Sequence, residues 1–138
     1  MDKKQITDSL LSRYPEILVF QNSQYAEVNV PASIWHKVAL ELKTRAEYAF
    51  DYLFCLSGID DISHFTVVYH LESTLHRHQL VVKVNTASRE KNSIDSVSDI
   101  WKTAEFQERE VYDLLGVDFT SHPDLRRLFL EDGWGFPL

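Results

Sequence analysis

The spacing of apolar residues predicts a helix followed by two strands in the first 30 residues. Apolar side chains recur at helical intervals from Ile6 to Tyr14, and Pro15 is expected to end that helix. The β-branched and aromatic run Ile17–Phe20 and the alternating run Tyr25–Val30 predict two strands. A turn at residues 22–23 would join them.

A second helix is predicted after Pro31, which suits the first turn of a helix. Its apolar stripe consists of Ile34, Val38, Leu42 and Ala46, widened by Trp35 and Ala39. We interpret the stripe as core packing and not as a cofactor site.

Three further strands are predicted between residues 51 and 85. The mostly apolar segment Asp51–Ile59 is typical of a buried strand that ends at Gly58, and Cys55 within it is expected to be an inert core thiol. The segments His64–Glu72 and His78–Asn85 alternate between apolar and polar residues. Their short connections favour an antiparallel meander at one side of a mixed sheet.

A last amphipathic helix is predicted before Gly116, where a left-handed residue is expected to end it. Ser96–Asp99 resembles a capping box. One face of the helix carries Ile100, Ala104, Val111, Leu114 and Leu115. The opposite face carries Glu105, Arg109 and Asp113, which we interpret as a solvated ladder of alternating charges.

This order of elements predicts an α+β fold with two layers, in which helices cover one face of a mixed sheet of about five strands. We expect one domain over residues 1–138, with a compact core to about residue 116. Residues 117–138 contain two prolines and two further glycines and are expected to form an extended C-terminal arm.

Composition and charge argue against several classes of partner, cofactor and location. The chain has 138 residues and a net charge of −7, and residues 99–138 hold nine acidic against four basic residues, so nucleic acid is a poor partner. The single cysteine allows no intrachain disulfide and no four-thiolate cluster, which fits a reducing compartment. No apolar run is long enough to span a membrane and no signal peptide precedes the first helix, so we expect a soluble, intracellular protein.

The sequence offers few residues for catalysis or cofactor binding. The only Gly-x-Gly, at 133–135, has no helix after it, which argues against nucleotide or flavin binding. A Gly-x-Ser-x-Gly elbow is absent. His76 and His78 could share a strand face and bind a metal, but they suit a polar turn better because no Cys/His cluster lies near them.

The segment from Glu108 to Leu128 carries a specific motif. Its fixed positions are Glu108-Arg109-Glu110, Asp113-Leu114-Leu115, His122, Arg126 and Leu128, and a second arginine, Arg127, follows Arg126. In this spacing the segment resembles the signature of the 30-kilodalton subunit of respiratory complex I, the proton-pumping NADH:quinone oxidoreductase. The sharp match covers 21 residues, and a looser similarity spans about residues 101–138.

The resemblance implies a non-catalytic structural and assembly subunit in the peripheral arm of the complex, docked on the 49-kilodalton quinone-site subunit and its cluster-bearing neighbour. The chain itself would carry no cofactor, because FMN, iron–sulfur clusters and quinone would lie on other subunits. It would be a peripheral subunit at the cytoplasmic side of the cell inner membrane, attached to the membrane only through the complex. The motif residues Glu108, Arg109, Glu110, Asp113, His122, Arg126 and Arg127 would serve contacts between subunits.

An intrachain role for the motif is an alternative that the residues leave open. Glu108, at the edge of the apolar stripe, would need a partner if it were partly buried. We expect Arg126 or Arg127 to pair with Glu108 or Glu110 after the chain turns back at His122.

Two other functions are also open. This protein could be the homologous subunit of a membrane-bound hydrogenase or of a quinone dehydrogenase with another electron donor. It could also be a free-standing enzyme domain that binds a small molecule. Relatives commonly continue beyond a Pro-Leu like the one at 137–138, so the sequence could be part of a longer or fused protein.

Overall fold

The computed structural model describes residues 1–21 and 24–124. In chain order they form α1 (Lys3–Arg13), β1 (Leu18–Phe20), β2 (Ala26–Asn29), a 3-10 turn (Ala32–Ile34), α2 (Trp35–Thr44), β3 (Tyr52–Asp60), β4 (Phe65–Glu72), β5 (Gln79–Asn85), β6 (Ser93–Asp95), α3 (Ala104–Leu115) and β7 (Asp118–Thr120). The predicted α+β class is confirmed. The predicted turn at residues 22–23 and the predicted arm beyond residue 124 lie outside the described residues.

Five strands form one mixed sheet in the order β1-β2-β5-β4-β3. The predicted meander of β3, β4 and β5 is antiparallel, whereas β2 pairs with β5 in parallel. The connection from β2 to β5 therefore crosses over through α2 and the other two strands. Both β1 and β3 are edge strands.

The three helices and the inner face of this sheet enclose one hydrophobic core. Val28, Val67, Tyr69, Leu71, Leu80, Val82 and Val84 contribute from the strands, and Ile6, Leu10, Trp35, Val38, Leu42 and Val111 from the helices. α1 begins with a reciprocal capping box, in which Asp2 and Gln5 each accept a backbone N–H of the other at 2.8 Å. The predicted stripe of α2 is confirmed up to Leu42, but Ala46 lies beyond the end of that helix at Thr44 and is exposed.

β3 is not the buried strand that its apolar sequence predicts. It lies at the sheet edge, and its outward side chains, among them Tyr52 and Phe54, are exposed. A bulge between Leu53 and Cys55 shifts the alternation by one residue, so Cys55 lies opposite His70 on the outer face. Cys55 is therefore an exposed thiol and not a core thiol.

The last helix begins at Ala104, after Ile100, the first residue of its predicted apolar stripe. Ile100 and Trp101 are buried, but they lie in turns that precede Ala104, where Trp101 donates from Nε1 to the carbonyl of Phe50 at 2.8 Å. Ser96–Asp99 is therefore not the cap of α3. The end of α3 is confirmed, since Gly116 follows its last residue with φ 82°.

A small parallel sheet pairs β6, a strand that the sequence does not predict, with β7, which lies in the predicted arm. Val117 and Phe119, on either side of Asp118, are fully buried in the core. The core thus extends past Gly116, where the sequence places its boundary.

Candidate subunit interface

Glu108 is one of two fully buried carboxyl groups of the motif, the other being Asp113. Glu108 faces inward from the middle of α3. Its Oε1 accepts a hydrogen bond from the Ser96 hydroxyl at 2.6 Å, and its Oε2 accepts the backbone N–H of Val97 at 2.9 Å. Glu108 therefore ties α3 to the segment that follows β6.

The environment of Glu108 favours its neutral form. Burial raises the pKa of this carboxyl group to about 7, the nearby charge of Asp99 adds to the increase, and the two hydrogen bonds from Ser96 and Val97 oppose it. Burial also raises the pKa of Tyr69 in the core well above its ordinary value, and the charge of Glu108 contributes. Glu108 thus sits in an apolar region that accepts a negative charge poorly.

His122 closes the motif against the first turn of α3. Its buried ring donates from Nε2 to the carbonyl of Glu105 at 2.8 Å, and its Nδ1 accepts the backbone N–H of Asp124 at 2.9 Å. Because Nδ1 is an acceptor, the proton of the neutral ring lies on Nε2. The same Nε2 is 3.8 Å from Oε1 of Glu108, so the two motif residues meet inside the domain.

The predicted solvated ladder on α3 is wrong. Asp113 is fully buried, and Arg109 is only partly exposed, with an Nε that is buried. The reason is tertiary. The segment after Gly116 returns along α3, and His122 in that segment bonds to the backbone carbonyl of Glu105, the first residue of the predicted ladder. Leu114, which the sequence places on the buried face, is in turn 39% exposed.

The predicted partners of the carboxylates lie outside the described residues. Pairing of Arg126 or Arg127 with Glu108 or Glu110 therefore stays a prediction. The partner that a buried Glu108 requires is supplied by Ser96 and Val97, which sequence reasoning missed. The polar pattern Ser96–Asp99 marks these residues in the sequence. From the sequence alone, however, it is interpreted as a capping box of the helix that follows, and not as a partner of Glu108.

The two histidines of the polar turn have backbone partners. Nε2 of His76 lies 2.7 Å from the carbonyl of Ala46, and Nε2 of His78 lies 2.8 Å from that of Tyr48. These contacts join the β4–β5 turn to the segment after α2, which is the turn role the sequence favours. Across residues 1–21 and 24–124, no three His, Cys, Asp or Glu side chains group as metal ligands.

Taken together, these contacts define a class of protein. It is a two-layer α+β domain in which the charged residues of one motif hold the domain's own segments in place. The chain belongs to the family of the respiratory-chain NADH dehydrogenase 30 Kd subunit, whose model matches residues 28–138. The resemblance that the motif carries is thereby confirmed.

Curated relatives agree with this assignment. The chain is 49% identical over 113 residues to the NADH-quinone oxidoreductase C/D subunit of Phocaeicola vulgatus, a match that covers 80% of this chain and 21% of that protein. It is 42% identical over 107 residues to the NADH-quinone oxidoreductase C subunit of Chloroherpeton thalassium, which covers 75% of this chain and 44% of that protein. The chain thus spans between a fifth and a half of the length of these relatives.

Solved structures share the fold. A trypsin-resistant fragment of Nqo5, residues 1–134, superposes with a TM-score of 0.78 at 27% identity, covering 91% of this chain and all of that fragment. A chain of the membrane-bound sulfane sulfur reductase, an archaeal respiratory membrane complex, superposes with the same TM-score at 23% identity over 94% of this chain and 78% of its own. The second likeness concerns the fold alone. Within the described residues, no helix is long and apolar enough to cross a membrane.

Proposed function

We propose that this chain is a non-catalytic structural subunit in the peripheral arm of proton-translocating NADH:quinone oxidoreductase. In this proposal it docks on the 49-kilodalton subunit, the quinone-site subunit. FMN, iron–sulfur clusters and quinone belong to other subunits in this proposal. The protein would lie at the cytoplasmic side of the inner membrane and reach the membrane only through its partners.

The relatives named as C/D subunits support the proposal that this chain contacts a particular partner subunit. In Phocaeicola vulgatus the region similar to this chain makes up only 21% of one polypeptide named for two subunits, C and D. Joining two subunits in one polypeptide holds them at high effective concentration, which preserves function when they work in contact. The proposal takes the D part as the counterpart of the quinone-site subunit.

The motif geometry supports a structural role. Glu108 and His122, the two motif groups best suited to proton transfer, are buried and bound to Ser96, Val97 and Glu105 of the same domain. A catalytic acid or base would need access to a substrate. The residues left for contact with a partner are then the exposed ones around the motif.

Co-purification of the tagged chain from its native membranes tests the proposal. We expect recovery of a quinone-site subunit together with NADH:quinone activity, and a loss of at least tenfold in both for Arg126→Glu/Arg127→Glu. A matched control, Lys4→Glu/Lys91→Glu, makes the same change of charge at two exposed lysines away from the motif and should leave recovery unchanged.

Two results would replace the proposal. Recovery of a hydrogenase-like partner, or of a quinone dehydrogenase without NADH activity, would assign the chain to a related complex. A chain that emerges alone from the soluble fraction would contradict any scaffold role and favour a free-standing domain.

A further inference from the structure

One edge of β3 pairs with no other strand among residues 1–21 and 24–124, and it exposes backbone groups on a fixed set of residues. The N–H of Ser73 bonds to the carbonyl of His78, so odd-numbered residues of β4 bond to β5 and even-numbered residues bond to β3. The register of β3 with β4 then directs the N–H and C=O groups of Leu56, Gly58 and Asp60 away from the sheet. An edge of this kind readily accepts another strand.

Side chains of the α3 region cover only the first half of this edge. The Thr103 hydroxyl donates to the carbonyl of Leu53 at 2.8 Å, and the Gln107 side chain accepts the N–H of Leu56. Past Leu56, no side chain among the described residues bonds to the outward groups of Gly58. The protection that natural sheet edges usually carry thus stops in the middle of β3.

An apolar groove begins where this protection stops. It has a volume of about 290 Å³ and lies between Leu56 and Gly58 of β3 and Glu110, Val111, Leu114 and Leu115 of α3. A Cβ atom at Gly58 would lie 2.7 Å from Cδ1 of Leu115 and 2.9 Å from Cγ1 of Val111, so a side chain there would force these two side chains to move. Strand and helix therefore approach closely beneath an open groove.

The surroundings of the groove are apolar with one acidic group. Leu114 at its rim is 39% exposed, and Phe106, four residues before Glu110 on α3, is 52% exposed. Glu110 in its wall makes no ion pair with any residue that the structure describes. The groove therefore suits a ligand that brings backbone hydrogen bonds, an apolar side chain and a positive charge.

We propose that an extended segment of the partner subunit adds to β3 as a further strand along Gly58–Asp60, with an apolar side chain in the groove and a basic residue beside Glu110. This inference rests on the proposed function, and its occupant is the quinone-site subunit. A second copy of this chain fits worse, because edge-to-edge pairing would bring two acidic surfaces of a chain with net charge −7 together.

A photo-crosslinking side chain at position 114 of the tagged full-length chain, activated in native membranes, tests the occupant. We expect crosslinks from position 114 to one continuous stretch of the quinone-site subunit. Position 40 is the matched control, since Leu40 is also a helical leucine and is 47% exposed, and it should not reach that stretch. Crosslinks to residues 125–138 of the same chain, to a second copy, or to nothing in an intact complex would overturn the inference.

Amide exchange in the purified complex tests the added strand itself. The Gly58 and Asp60 amides should exchange at least tenfold more slowly in the complex than in the isolated chain. The Leu56 amide, which Gln107 already binds, should change much less. Equal slowing of all three amides, or none, would contradict strand addition.

A substitution at Leu114 distinguishes a failure of the proposed docking site from a failure of the proposed function. Leu114→Lys should lower recovery of the quinone-site subunit at least tenfold, whereas Leu40→Lys should not. If the unmodified chain recovers the complex and Leu114→Lys recovers it equally well, the docking site is wrong and the subunit function stands. If the unmodified chain recovers no such complex, the proposed function itself fails.

Discussion

Glu108 is held in the core by neutral donors and not by an opposite charge that the structure describes. Its pKa is raised from 4.5 to about 7 in the folded protein, so the folded state binds the proton more tightly than the unfolded state. The resulting stabilisation is complete below pH 4.5 and is lost as the pH rises through about 7. The effect amounts to about 3 kcal/mol of unfolding free energy.

We therefore predict that Glu108→Gln removes much of this pH dependence. Glutamine can accept the Val97 N–H through its side-chain carbonyl and donate an amide N–H to the Ser96 oxygen, and it has no charge to desolvate. Urea unfolding between pH 5 and pH 8 should show the wild-type protein losing about 3 kcal/mol more than the variant.

Glu108→Ala serves as the control for the hydrogen bonds. It leaves the Val97 N–H without its partner and opens a cavity, and it should be about 2–4 kcal/mol less stable than Glu108→Gln at every pH. Identical pH profiles for the wild-type protein and Glu108→Gln would mean that Glu108 is ionised in the fold throughout this range.

At the scale of an element, α3 depends on how it ends. Gly116 adopts φ 82°, its N–H bonds to the carbonyl of Tyr112 at 2.8 Å, and its own carbonyl accepts the Asn92 side chain at 2.6 Å. The residue thus ends the helix and directs the backbone toward β7. A side chain at this position would meet the steric cost of the left-handed conformation.

Gly116→Ala should destabilise the protein by about 1–2 kcal/mol. Gly116→Asn should cost clearly less, because asparagine tolerates this conformation better. Thermal and urea unfolding of the two variants measure the difference. Equal stability of both variants and the wild-type protein would show that the end of α3 adjusts without strain.

At the scale of the whole molecule, the core is closed by residues that follow α3. The core residues that the structure describes lie between Ile6 and Phe119, and the last contributions come from Val117 and Phe119. His122 then fixes the returning segment to α3. The division into a core and an arm is therefore best tested by shortening the chain.

A chain that ends after Asp124 should unfold cooperatively, because it keeps every contact described for the core. A chain that ends after Gly116 loses β7 and the buried Phe119 side chain, whose removal alone costs about 3–5 kcal/mol, and should not fold stably. Circular dichroism during heating distinguishes the two. If the chain ending at Gly116 melts like the longer one, the boundary predicted from the sequence is right.

The sequence by itself determined the local features of this protein. Periodicity indicated the type and order of α1, β1 to β5, α2 and α3, and Gly116 marked a helix end, because these features depend on neighbours within a few residues. The spacing of Glu108, Asp113 and His122 indicated the family. These are properties that a sequence has whatever surrounds it in space.

Only the tertiary structure decided which surfaces are covered. Asp51–Ile59 is apolar enough for a central strand, but its place at the sheet edge and one bulge expose Cys55. Asp113 has the pattern of a surface residue, yet it is fully buried in the folded chain. Ser96 and Val97 reach Glu108 from 12 and 11 residues away. Strand order and long-range hydrogen bonds are set by packing between distant segments, which local patterns do not encode.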